Sequence, residues 1–127
     1  MSPVGAIDIG SNSVRLLVVD AGGGELCREM HITRLAEGVD RDGRLGAAPI
    51  ARTLEVLEAY GATLRQLGAQ RVRCTGTSAA RDAQNREEFF ARVEQAVGCR
   101  PELLSGDAEA ALAFAGATAD QPAARAP

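Results

Sequence analysis

The sequence predicts an α/β fold: a mixed five-stranded sheet, built in the order β-β-β-α-β-α-β-α, with helices on its faces. Three observations carry this. Short apolar runs separated by glycine-rich turns fill the first 32 residues. Later segments show helical periodicity, and a short strand-like run stands between successive helices.

The first strand is expected at Val4–Ile9, short, apolar and interrupted by Asp8. Gly10-Ser11-Asn12-Ser13 is turn chemistry, Val14–Asp20 gives a second run, and Gly22-Gly23-Gly24 another turn. With Glu25–Ile32 as a third strand, the opening reads as an antiparallel meander. The polar stretch Arg34–Gly46 reads as an exposed loop with at most a short turn of helix, either a flap near a cleft or a plain surface connection. Pro49 suits a first helical position, Ile50, Leu54, Leu57, Leu64 and Leu67 share one face, and Gly68 closes the helix, while Gly61 weakens its last turn. Val72–Thr75 is a short strand. Asn85 is a fitting N-cap for a helix carrying Phe89, Phe90, Val93 and Val97 and ending at Gly98. Pro101–Leu104 is the last strand, and Ser105-Gly106-Asp107 opens an alanine-rich helix to about Ala117. Residues 1–118 thus form one domain, and 119–127 read as a disordered linker tail.

Composition narrows the chemistry. The chain has 127 residues, 46% hydrophobic and 24% charged, enough for a single core. It has no apolar run near the ~20 residues of a membrane span and no leader pattern, so a soluble, cytoplasmic protein is expected. All 14 basic residues are arginine, which excludes a Walker-A phosphate loop and lysine-nucleophile mechanisms. His31 is the only histidine, so zinc sites built on several histidines are excluded. Cys27, Cys74 and Cys99 are far apart and read as small core residues in a reducing compartment. A net charge of −3 argues against a nucleic-acid partner.

Three segments carry chemistry. In Asp8-Ile9-Gly10-Ser11-Asn12-Ser13, a carboxylate precedes a turn whose glycine permits close backbone approach and whose amides and hydroxyls can surround an anion. Asp8 is suited to Mg²⁺, although an ordinary polar hairpin uses the same residue types. In Gly76-Thr77-Ser78-Ala79-Ala80-Arg81, small donors precede an arginine able to clamp phosphate oxygens, or simply a surface arginine on a capped helix. In Ser105-Gly106-Asp107-Ala108-Glu109, an acidic first turn either complements the helix dipole or supplies a general base. All three follow strands at their C-terminal ends, where open α/β sheets bind ligands.

"AIDIGSNSVRLLVVD", "TGTSAARDAQN" and "LLSGDAEAALAFAGA", with "RLAEGVDRDGRL" between the first two, resemble in order and spacing the N-terminal half of the Ppx/GppA family, the exopolyphosphatases and guanosine pentaphosphate phosphohydrolases. The resemblance covers about residues 4 to 118 and implies an actin-like ATPase fold, with this chain as its first, ribonuclease-H-like lobe. By the family pattern Asp8 helps bind Mg²⁺, Gly10, Ser11, Asn12 and Ser13 form the first phosphate turn, and Ser78 and Arg81 hold phosphates. Glu109, matching the glutamate immediately before alanine in the family's SGxEEA motif, activates water for in-line attack on a terminal phosphoryl group. The implied activity is hydrolysis of the terminal phosphate of polyphosphate. The alternatives are guanosine pentaphosphate (pppGpp) hydrolysis and a non-catalytic phosphate- or nucleotide-sensing lobe. A sugar- or acetate-kinase lobe fits the SGDAEA setting poorly.

The sequence departs from the pattern at Ala108, where the family has a first glutamate. The DIGGGSTE-type turn expected after the tail is not in this chain either, so the implied partners include a C-terminal second lobe. The 127-residue chain is expected to be weakly active or inactive alone. Family members often form homodimers, and neither nucleic acid nor membrane is an expected partner.

Overall fold

Alternation of buried and outward residues builds the first two strands. In β1 (Val4–Ile9), Gly5, Ile7 and Ile9 face inward, and in β2 (Ser13–Val19), Val14, Leu16 and Val18 do. In β3 (Glu25–Ile32) the pattern weakens because the strand lies at the edge. The β2–β3 turn is held by Asp20, whose Oδ1 accepts the amides of Gly22 at 2.9 Å and Gly24 at 2.7 Å. Gly23 supplies the left-handed backbone there, with φ of 86°. The computed structural model describes residues 2–76 and 83–103.

Two further strands, β4 (Arg71–Gly76) and β5 (Glu102–Leu103), complete a five-stranded sheet in the order β3-β2-β1-β4-β5. The meander pairs are antiparallel, whereas β1–β4 and β4–β5 are parallel. Between them come α1 (Val39–Asp42), α2 (Ala47–Leu67) and α3 (Arg86–Val97). The helices predicted from Pro49 and Asn85 thus form, although Pro49 sits at the third position of α2. It is tolerated there because the first-turn amides have no intrahelical acceptor. Gly68 ends α2 with φ of 76°, its amide donating to the Arg65 carbonyl, and Gly98 ends α3 in the same left-handed conformation. The helix predicted over Ser105–Ala117 and the tail 119–127 lie outside the described residues.

Both α2 and α3 cover one face, packing into a single cluster with the inward residues of the sheet. Tyr60 is its largest member; its hydroxyl donates to the Val14 carbonyl at 2.7 Å. That hydroxyl has one proton, so the 3.0 Å contact with His31 Nδ1 makes the imidazole the donor there. The opposite face presents Val4, Met30 and Ile32, which are 40%, 54% and 66% exposed.

Two expectations are corrected. The Arg34–Gly46 stretch is not simply exposed: Leu35 and Leu45 are buried core members, and α1 lies between them. The Arg52 guanidinium donates to the Thr33 carbonyl at 3.0 Å, and the Gln84 backbone N–H donates to the Gly43 carbonyl at 3.0 Å. Asn85 stands at the N-cap position of α3 but makes no capping bond. Its side chain instead accepts from the Leu45 amide at 2.8 Å and donates to the Leu45 carbonyl at 2.9 Å. A primary amide can do both at once, and that paired bond outcompetes a single cap.

Candidate functional site

The sheet register brings three strand ends together. Ile9 lies beside Gly76, and Gly76 beside Leu103, with all three strands running in one direction. The ends of β1, β4 and β5 therefore stand side by side at the carboxyl edge, where α/β folds gather ligands.

The first of these segments is tightly built. Gly10 donates its amide to the Ser13 carbonyl at 2.8 Å, closing the turn. A Cβ on Gly10 would sit 2.8 Å from that same carbonyl oxygen, a backbone atom with no freedom to yield, so only glycine fits. The turn is clamped from below. The Asn12 carbonyl accepts the amides of Thr33 and Arg34 at 2.9 and 3.0 Å, and the Ser11 carbonyl accepts that of Ala36 at 3.0 Å. Arg34 takes a left-handed backbone, φ 52°, as it offers this amide, a strained conformation for a non-glycine residue. With the Ser11 and Asn12 carbonyls engaged by the 33–36 segment, the turn is fixed against the core through Leu35.

Asp8 stands one residue before the end of β1, outward and exposed. Its sheet neighbours on the same face are Thr75 on β4 and Arg15 on β2. The Thr75 hydroxyl lies 3.2 Å from Asp8 Oδ1 and 3.4 Å from the Ile7 carbonyl, and Thr75 is only 5% exposed. The carboxylate thus sits between a buried hydroxyl and a guanidinium-bearing residue. Sequence reading singled out neither Thr75 nor Arg15. Both stand opposite Asp8 only once the register is known, and the strand expected at Val72–Thr75, which in fact runs Arg71–Gly76, gave no signal for that pairing.

Among the described residues no cluster of three or more His, Cys, Asp or Glu side chains forms a metal cage. A lone carboxylate at a polar strand end still matches Mg²⁺, which takes one or two carboxylates and fills its remaining positions with water and substrate phosphate oxygens. The cysteines take no part in this arrangement. Cys74 faces the core from the other side of β4, where burial pushes its thiol well above the ordinary range; burial also raises Cys27 and Cys99. Of the three cysteines expected in the core, Cys74 is buried there, whereas Cys27 and Cys99 are only half-buried at its margin. Ser78, Arg81 and Glu109 lie outside the described residues.

A sheet of parallel and antiparallel pairs with a clamped glycine turn and a carboxylate at its carboxyl edge is the arrangement of an open α/β lobe. Residues 25–126 match the Ppx/GppA phosphatase family, and the chain belongs to that family. It is 41% identical to exopolyphosphatase 2 of Mycobacterium tuberculosis, a match that covers 100% of this chain and 44% of that protein. Among solved structures, the Aquifex aeolicus Ppx/GppA family member superposes with a TM-score of 0.82 at 33% identity, covering 93% of this chain and 40% of that one. An exopolyphosphatase from Cytophaga hutchinsonii gives 0.84 at 28% identity, covering 92% and 38%. The chain therefore spans less than half the length of the relatives it matches.

Proposed function

We propose that this chain is the first, ribonuclease-H-like lobe of an actin-like exopolyphosphatase that removes the terminal phosphate of inorganic polyphosphate. The observation that carries the reading is the alignment of the β1, β4 and β5 ends. In sequence, Gly10–Ser13 directly follows β1, and the stretches holding Ser78–Arg81 and Glu109 follow β4 and β5, which supports one shared site. Membership of the Ppx/GppA phosphatase family and 41% identity to an exopolyphosphatase support it.

In this reading Asp8 holds Mg²⁺, which would neutralise charge on phosphate oxygens. The turn Gly10–Ser13 receives a phosphate, and Ser78 and Arg81 hold the polyanion, the arginine through its forked donors. Glu109 accepts a proton from water as the water oxygen bonds the terminal phosphorus. The phosphoanhydride bond breaks and leaves the shortened chain. Positioning and charge neutralisation dominate such a transfer, so one base, one carboxylate and several donors suffice. Arg15, beside Asp8 in the sheet, adds a positive group along the polyanion's path. The remainder of the cleft comes from a second lobe, and the site lies in the cytoplasm.

The test measures phosphate release from polyphosphate, and from guanosine pentaphosphate, with Mg²⁺ present. This chain is compared with a form extended through the second lobe. The extended form turns over polyphosphate, and Glu109→Gln lowers its rate by roughly 10²–10⁴-fold, the usual worth of a general base. A Glu109→Gln enzyme of undiminished rate overturns the catalytic assignment. Faster release from guanosine pentaphosphate reassigns the substrate.

A further inference from the structure

We propose that Thr75 is a positioning residue for the Asp8 carboxylate, turning it so that its second oxygen is presented to a divalent cation; the proposal rests on the reading of Asp8 as the Mg²⁺ ligand. The geometry is built into the register. Asp8 and Thr75 are lateral partners across the parallel β1–β4 pair, with the Thr75 Oγ1 3.2 Å from Asp8 Oδ1. The same hydroxyl lies 3.4 Å from the Ile7 carbonyl. It has a single proton, and an ionised carboxylate is the stronger acceptor of the two.

Exposure differs sharply between the partners. Thr75 is 5% exposed, so water hardly competes for its hydroxyl, whereas Asp8 is open to solvent. An aspartate carboxylate otherwise rotates in a broad, roughly two-fold well, while a β-branched threonine is stiff at χ1. A fixed donor on Oδ1 therefore removes the rotational freedom of the whole group. Among the described residues Oδ2 makes no hydrogen bond, which leaves it for the ion. Groups that orient a metal ligand in this way contribute about 10–100-fold in metal affinity.

Mn²⁺ serves as the probe, because it takes Mg²⁺ sites and broadens nearby amide resonances. In the full 127-residue chain, Mn²⁺ broadens the amides of Ile9, Gly10 and Ser11, and Asp8→Asn abolishes the effect. Thr75→Val raises the Mn²⁺ concentration for half-broadening at least tenfold, and Thr75→Ser stays within threefold of the parent. Thr75→Cys against Thr75→Ser repeats the comparison in a pair that both lose the methyl and differ only in sulfur for oxygen. It decides the matter if the valine variant fails to fold. Unchanged half-broadening in folded Thr75→Val or Thr75→Cys overturns the role of Thr75 while Asp8 stands. Broadening that survives Asp8→Asn, or is absent from the parent, overturns both assignments.

Discussion

Gly61 shows how a single residue reverses a propensity argument. It sits within α2, where glycine costs about 0.8–1.0 kcal/mol relative to alanine, and on that basis Gly61→Ala should stabilise the helix. A Cβ at Gly61 would nevertheless stand 2.2 Å from the Ala96 carbonyl oxygen of α3. That atom belongs to helical backbone and cannot swing away, so α2 and α3 would have to separate. Gly61 is the close-approach point of the helix pair rather than a weakness in its last turn. Gly61→Ala is expected to destabilise the protein by about 1–3 kcal/mol, the usual range for overpacking. Urea unfolding followed by circular dichroism measures this, and a higher midpoint for the variant would show that the helices pack more loosely.

Between elements, Asn85 joins the start of α3 to the α1–α2 connection at Leu45 through two reciprocal hydrogen bonds. A capping role and a pinning role predict opposite results for Asn85→Asp. Aspartate is as good an N-cap as asparagine, so capping predicts no loss. Pinning predicts a loss, because a carboxylate cannot donate to the Leu45 carbonyl and sets a lone pair against it. Asn85→Asp and Asn85→Ala are both expected to cost about 1–3 kcal/mol. Both should also speed hydrogen exchange at residues 43–45, whereas a neutral Asn85→Asp would restore the cap. The same residue marks the limit of what was legible in the sequence. The strands, α2 and α3 follow from alternation, helical spacing and terminal glycines, all local signals. The burial of Leu35 and Leu45, the bonding of Asn85 and the contact of Thr75 with Asp8 join residues 40 or more positions apart or depend on the sheet register. Of the candidate site, Asp8 and the Gly10–Ser13 turn were readable as a motif. Their clamp by residues 33–36 was not, since backbone carbonyls leave no trace in residue type.

At the scale of the whole molecule, α2 and α3 over one sheet face gather the core of the described residues around Tyr60 and Cys74. That core has a titration signature. Burial, with the nearby Glu29 charge adding to it, pushes the Tyr60 hydroxyl from its ordinary value of 10 up to about 12, and burial likewise raises the Cys74 thiol. In both cases the folded state holds its proton more tightly than the unfolded chain. The associated stability is fully present below the unfolded values and is lost as pH rises toward the folded ones. The urea midpoint is therefore expected to fall steeply between pH 10 and 12 from the tyrosine, with the loss from Cys74 beginning near pH 9. Tyr60→Phe separates this linkage from general alkaline damage. The variant starts about 1–2 kcal/mol less stable, because the buried Val14 carbonyl loses its donor, yet its midpoint declines less between pH 10 and 12. An identical decline in parent and variant would mean that Tyr60 ionises as easily in the folded protein as in the unfolded chain. The hydrogen bond that ties α2 to β2 would then contribute no proton linkage to the fold.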